Sequence, residues 1–158
     1  MSINQELEKA VLVGDLVAVR SLLKRNGLDI NASDRYGRTV IFDAIVKGFT
    51  NIVNELCLSG INVNHQDKNG KTPLHFASIH KQLDSVKILI QNGANVNVKD
   101  DNGNTPIFDA ILNSGGNPEI IVLLKEKGAD YVTENNQGVS PKELAYSIGN
   151  FDVSYIFN

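Results

Sequence analysis

The fold is decided by residues 67–97, which read DKNGKTPLHFASIHKQLDSVKILIQNGANVN. The first four of these residues predict a tight turn, because Gly accepts a positive φ and because Asp or Asn side chains bond to the backbone just ahead. Thr72 and Pro73 then predict the start of a helix. The Thr hydroxyl is suited to capping the first N–H groups, and Pro at the first helical position loses no hydrogen bond.

The rest of this stretch predicts two short helices. Its apolar residues recur at spacings of two to four, with a break over residues 80–84. Gly93 follows the last apolar residue of the second helix, which is typical of a left-handed C-terminal cap. One turn and two helices therefore form the expected structural unit.

The same unit recurs along the chain. Thr39, Thr72 and Thr105 are spaced 33 residues apart, and Gly60 and Gly93 open matching Gly-x-Asn-Val-Asn segments at the same spacing. Repetition at this period predicts stacked structural units, of which the terminal ones act as caps. We expect one domain over residues 1–158 with five units, at about residues 2–31, 32–64, 65–97, 98–132 and 133–158.

Thr72-Pro-Leu-His-x-Ala77 resembles the motif of the ankyrin repeat. The resemblance implies an all-α solenoid of stacked helix-turn-helix units with β-turn fingers. It also implies that His75 ties its turn to neighbouring backbone. In the last unit, we expect three aromatic residues to complete the core as a C-terminal cap: Tyr146, Phe151 and Phe157.

The resemblance further implies that another protein binds a concave surface, which the turn tips and the first helix of each unit would form. Aligning the units transfers this surface to fifteen candidate residues of this chain: Arg35, Tyr36, Arg38, Val46, Lys47, Lys68, Asn69, Lys71, Ile79, His80, Asp101, Asn102, Asn104, Leu112 and Asn113.

One aligned column in the first helices is apolar in four successive units: Leu12, Val46, Ile79 and Leu112. This column predicts a hydrophobic stripe along the binding surface. Ordinary core packing explains the same pattern, and the sequence leaves both interpretations open.

The charge of the turn tips changes along the chain. The tips of units two and three carry Arg35, Arg38, Lys68 and Lys71, whereas the tip of unit four carries Asp100 and Asp101. This arrangement favours a partner that is acidic where it meets units two and three, and it would raise the association rate more than the affinity. Ordinary solvated charge is the alternative interpretation.

The sequence offers little that indicates catalysis, a cofactor or a metal. The three histidines lack zinc-ligand spacing, and a net charge of −3 does not indicate binding to nucleic acid or to a membrane. Asp43 and Asp109 occupy identical Phe-Asp-Ala-Ile segments two units apart. At about 10 Å per unit they would lie roughly 20 Å apart, too far for a carboxylate pair. We expect each to bond to a neighbouring turn.

The cellular compartment is predicted from Cys57 and from the N-terminus. A single cysteine suits a reducing compartment, and its place among apolar residues predicts a core side chain. No apolar stretch approaches the length of a membrane span or a secretion signal. We therefore expect a cytoplasmic monomer, and the many asparagines suit an AT-rich bacterial genome.

These observations favour a non-enzymatic adaptor, inhibitor or toxin-immunity protein. A host-directed effector and a regulatory subunit of a larger complex are alternatives. A remote alternative is an enzyme with a site in the loop at residues 113–118, which is two residues longer than its counterpart in unit three. That loop is either shaped for a partner or a tolerated insertion. Asn117 and Pro118 are expected to cap and open the next helix.

Overall fold

The structure is a computed structural model that describes residues 1–148 and 152–158. The described residues form helices and turns, with no β-strand among them. A short 3-10 helix, Ser154–Phe157, follows nine α-helices: α1 (Ile3–Val13), α2 (Leu16–Leu23), α3 (Val40–Val46), α4 (Thr50–Leu58), α5 (Pro73–Ile79), α6 (Leu83–Gln91), α7 (Pro106–Asn113), α8 (Glu119–Glu126) and α9 (Pro141–Ser147).

The helices stack in two layers. The first helices of successive units pack against one another in the order α1, α3, α5, α7 and α9, and the second helices pack in the order α2, α4, α6 and α8. This arrangement confirms the predicted all-α solenoid of stacked helix-turn-helix units. In the described ranges, no helix is both long and apolar enough to cross a membrane.

The helix starts follow the sequence, but the capping chemistry differs from the expectation. Thr39, Thr72 and Thr105 stand in extended conformation immediately before α3, α5 and α7, as predicted. The hydroxyl groups of Thr39 and Thr105 accept no capping hydrogen bond from the helix N–H groups in the described residues, whereas Thr72 forms a reciprocal capping box with His75. Ser140, at the corresponding place before α9, does accept one, from the N–H of Glu143 at 3.2 Å.

The break between the two helices of a unit requires a left-handed residue. Gly14 and Gly48 fill this position with φ of 76° and 75°, and in unit three Lys81 fills it with φ of 57°. A break is present where it was predicted, but it is shorter than residues 80–84, because α5 ends at Ile79 and α6 already begins at Leu83. Gly93, with φ of 87°, follows α6 as predicted.

One hydrophobic core runs through all the units, from Leu7 to Phe157. Cys57 lies in this core, as predicted, and burial raises the pKa of its thiol to about 11. Phe157 closes the C-terminal end by packing on Tyr131, with the ring centroids 5.1 Å apart. The prediction for Tyr146 was wrong: the residue is exposed, and its hydroxyl donates to the Asn158 side chain. Phe151 lies outside the described residues.

Candidate protein-binding surface

Each finger is a turn held by the side chain of its first residue. In unit three, Asp67 accepts the N–H groups of Asn69 and Lys71 on one carboxylate oxygen, at 2.9 and 3.0 Å. The Gly70 N–H bonds to the Asp67 carbonyl at 2.9 Å, and the φ of Gly70 is 73°. The corresponding first residues of the other fingers make the same contacts: Asp34, Asp100 and Asn135.

Backbone hydrogen bonds join each finger to the next. The N–H of Lys68 donates to the Tyr36 carbonyl, and the N–H of Asp101 donates to the Asn69 carbonyl, each at 3.0 Å. A Cβ at Gly70 would lie 2.9 Å from the Asp101 nitrogen, so the glycine allows this close approach. The fingers therefore form a continuous edge beside the first helices.

The candidate tip residues divide into two groups. Six of them are exposed: Arg35, Tyr36, Lys68, Asn69, Asp101 and Asn102. The Arg35 guanidinium lies over the Tyr36 ring, 4.9 Å from its centroid. The remaining tip candidates, Arg38, Lys71 and Asn104, are partly buried and point to the following unit.

Arg38, Lys71 and Asn104 form one series of contacts between units. The Arg38 side chain bonds to Asp67 at 3.3 Å, and Lys71 Nζ lies 2.8 Å from Asp100. At the next position, the Asn135 amide donates to the Asn104 side chain at 2.7 Å. The basic charge that the tips offer to solvent in units two and three therefore comes mainly from Arg35 and Lys68.

Lys71 also joins its finger to α7. Its ammonium donates to Asp109 at 2.8 Å, so the prediction that each aspartate bonds to a neighbouring turn is confirmed for Asp109. For Asp43 the prediction was wrong, because no ion pair reaches its carboxylate within the described residues. Burial alone would lower the pKa of Lys71, but its bonds to Asp100 and Asp109 outweigh burial and raise it. Burial raises the pKa of Asp109 despite the lysine. In Asp100, the bonds from Lys71 and from backbone N–H groups outweigh burial and lower the pKa.

His75 ties its turn to the neighbouring finger, as the resemblance implied. Its Nδ1 accepts the Thr72 N–H at 3.0 Å and lies 2.8 Å from the Thr72 hydroxyl. Nδ1 is therefore unprotonated, and Nε2–H donates to the Asn104 carbonyl at 3.1 Å. Burial lowers the pKa of this histidine to about 4, which keeps it neutral at pH 7.

The apolar column on the first helices is open to solvent. Leu12, Val46 and Leu112 are exposed by 41%, 44% and 58%, and Ile79 is half-buried. The neighbouring candidates Lys47 and His80 are exposed, and Asn113 bonds back to the carbonyl of Asp109 within α7. The structure thus favours the stripe over core packing at three of the four positions.

A cleft that sequence reasoning missed lies between α1 and the finger of unit two. Its volume is about 120 Å³, and four acidic residues belong to its lining: Glu8, Asp29, Asp34 and Asp43. Burial, followed by the charges of Glu8 and Asp34, raises the pKa of Asp43. The sequence contained a signal for this cleft. Asp43 and Asp109 lie in identical tetrapeptides, but unit one lacks the turn that would cover Asp43.

The loop at residues 113–118 is built from local contacts. Ser114 is buried and accepts the Gly116 N–H at 3.4 Å. Asn117 caps the next helix through the N–H of Glu119 at 3.0 Å, as predicted, and Pro118 stands in helical conformation one residue before α8. Among the described residues, no group of three metal-binding side chains lies close together in this loop or elsewhere.

The fold and this surface define a class: a solenoid of stacked helix pairs with a row of fingers along one edge. The family model of ankyrin repeats (3 copies) matches residues 7–100 and again residues 60–135. The chain therefore belongs to the ankyrin-repeat family, whose repeats are generally protein–protein interaction modules. No curated protein matches the chain.

Proposed function

We propose that this chain is a non-enzymatic module that binds a partner protein on the surface formed by its fingers and first helices. The observation that carries the proposal is the open apolar stripe of Leu12, Val46 and Leu112. The three side chains occupy equivalent helical positions in units one, two and four, and the half-buried Ile79 occupies the same position in unit three between them. Such a stripe favours contact with an apolar partner surface.

The charges beside the stripe suggest the character of the partner. Arg35 and Lys68 are exposed on units two and three, whereas Asp101 is exposed on unit four. A partner that is acidic opposite units two and three would be steered to this surface, and salt would weaken the steering. We further propose that the chain acts as an adaptor, an inhibitor or an immunity-type partner, as a monomer in the cytoplasm.

Two matched double variants test the stripe. Val46→Asp with Leu112→Asp places charges on the proposed surface, whereas Val17→Asp with Leu58→Asp places them on exposed positions of the second helices. Each protein is immobilised and used to capture partners from native lysate, with quantification by mass spectrometry. We expect the first variant to lose at least about tenfold of the captured partner, which corresponds to about 1.4 kcal/mol, and the control to retain it. Equal capture by both variants would contradict the proposal.

The electrostatic part is tested by reversing only the exposed cations, with Arg35→Glu and Lys68→Glu. Arg38 and Lys71 are left intact, because their replacement would disturb contacts between units. With the captured partner in hand, we expect slower association and little change in dissociation. Unchanged association at low ionic strength would remove these two residues from the proposed surface.

A further inference from the structure

Two copies of one tetrapeptide differ in what reaches their carboxylates. Asp43 and Asp109 follow Phe42 and Phe108 in identical Phe-Asp-Ala-Ile segments. Asp109 holds the ammonium of Lys71 at 2.8 Å. Within residues 1–148 and 152–158, no hydrogen bond or ion pair reaches the carboxylate of Asp43. The first copy therefore resembles the second with its cation removed.

The alignment of the units shows why the cation is missing. Asp34 and Asp43 correspond to Asp100 and Asp109, which together hold Lys71. The position that corresponds to Lys71 in unit one is Asn4. Its amide oxygen accepts the N–H of Asp29 at 3.2 Å, and both residues line the cleft. The chain thus repeats the carboxylate pair in unit two, but within the described residues no lysine forms an ion pair with it.

The cleft between α1 and the finger of unit two occupies the corresponding place. It has a volume of about 120 Å³, and one water occupies about 30 Å³ of the liquid, so an ammonium group and its last methylenes fit. Arg38 is the cation in its lining. Its guanidinium is held by Asp67 at 3.3 Å and lies over the Phe76 ring, so it offsets the charge of the cleft only in part.

We propose that this cleft is a socket for a lysine side chain of the bound partner, with Asp34 and Asp43 as its ligands and Glu8 at its rim. The inference rests on the proposed function, because a partner on the fingers and first helices is what would bring the lysine. The lysine enters beside α1 and Asp34, whereas the acidic groups of the partner would face Arg35 and Lys68, which are exposed at the finger tips. An ammonium is favoured because the corresponding pair in unit four, Asp100 and Asp109, binds the ammonium of Lys71. A metal ion is disfavoured, since the carboxylates do not form a close group of three among the described residues.

The test uses a small probe and needs no partner. Nα-acetyl-lysine methylamide is titrated into the full chain while the side-chain carboxyl carbons of aspartates are followed by NMR. We expect saturable shifts at Asp34 and Asp43, and none at Asp100 and Asp109, whose ammonium is already in place. The Nε-acetylated probe, which lacks the charge, is the matched control and is expected to produce no shift.

Two variants make the outcome decisive. Asp43→Asn should weaken binding of the probe about tenfold, which corresponds to one charge-assisted hydrogen bond of about 1.4 kcal/mol. Asn4→Lys supplies an ammonium from the chain itself, so the folded variant should no longer bind the probe.

Three results would overturn the socket: no shift at Asp43, equal shifts with the acetylated probe, or tighter binding of magnesium ion than of the lysine probe. None of these results would affect the test of the apolar stripe, which depends on partner capture by Val46 and Leu112 variants. Failure of the socket and failure of the proposed function are therefore distinguishable.

Discussion

Replacing the threonine before α3, α5 or α7 with valine should have opposite effects in different units. Thr72 is buried, and its hydroxyl meets Nδ1 of His75 at 2.8 Å. Thr39 and Thr105 are buried as well, but Phe42 and Phe108 stand where unit three has the histidine. In the part of the chain that the structure describes, their hydroxyl oxygens have no hydrogen-bond partner.

The expected magnitudes follow from this difference. Thr72→Val loses one buried hydrogen bond, which lowers the free energy of unfolding by about 1 kcal/mol. Thr105→Val removes a hydroxyl whose burial without a partner is worth about 1–3 kcal/mol against folding, so we expect stability to rise by roughly 1 kcal/mol. No capping bond is lost, because the Thr105 hydroxyl makes none within the described residues. The two variants should thus differ by about 2 kcal/mol.

Urea unfolding followed by circular dichroism measures the difference. With a slope of about 2 kcal/mol per M, the midpoint should move by roughly 0.5 M, downward for Thr72→Val and upward for Thr105→Val. A second probe of unfolding must give the same midpoint, since repeat proteins can unfold in parts. Thr39→Val serves as a replicate of the Thr105 case. If Thr105→Val is destabilising to the same extent as Thr72→Val, the assignment of an unpartnered hydroxyl is refuted.

Three further predictions concern single contacts. The pKa of His75 is about 4 in the fold, below its ordinary value of 6.5, so the histidine lowers the free energy of unfolding as pH falls between these values. The variant His75→Phe lacks this effect. In urea titrations, the loss of unfolding free energy caused by His75→Phe should therefore be about 2 kcal/mol smaller at about pH 4.5 than at about pH 7. Lys81→Gly should raise the melting temperature by relieving a left-handed backbone worth about 1 kcal/mol, whereas Lys87→Gly within α6 should lower it. Lys71→Met should cost about 2–3 kcal/mol in chemical unfolding, and adding Asp109→Leu should recover part of the loss; a full loss in the double variant would contradict this ion-pair account.

The sequence predicted the fold because the signals that determine it are local and repeated. The turn at residues 67–70, Pro73 and Gly93 each specify a backbone conformation, and the repetition of the unit requires the units to stack. The errors occurred where one unit departs from another. Thr72 forms the expected cap with His75, whereas Thr39 and Thr105 precede helices that carry phenylalanine in place of the histidine and accept no capping hydrogen bond within the described residues.

The binding surface was harder to predict, because the sequence pattern of a basic residue is the same whether its side chain faces solvent or the next unit. Arg38 and Lys71 were placed on the proposed binding surface, but both reach carboxylates of the following finger. Position in the turn separates the two cases. The residue after the turn glycine points along the stack, whereas Arg35 and Lys68, before the glycine, stay exposed.

Some of the many asparagines in this sequence have a structural role. Asn31, Asn64 and Asn97 end their units, and each side-chain oxygen accepts a backbone N–H of the following unit at 2.7–2.8 Å. These bonds lie on the exit segments, whereas the series of Arg38, Lys71 and Asn104 lies on the fingers. The stack is therefore held at two places by polar contacts that repeat with the unit.

The cleft beside Asp43 is a place where one of these repeated polar contacts is missing from the described residues. Asp109 receives a lysine from the finger before it, whereas in the described residues α1 stands in the corresponding place beside Asp43. A helix surface adapted to a neighbouring finger is therefore left uncovered in unit two, with its carboxylate only half-buried. A partner that contacts α1 and α3 meets this carboxylate on the same two helices that carry the exposed Leu12 and Val46. Its lysine would then occupy the place that the missing finger leaves open.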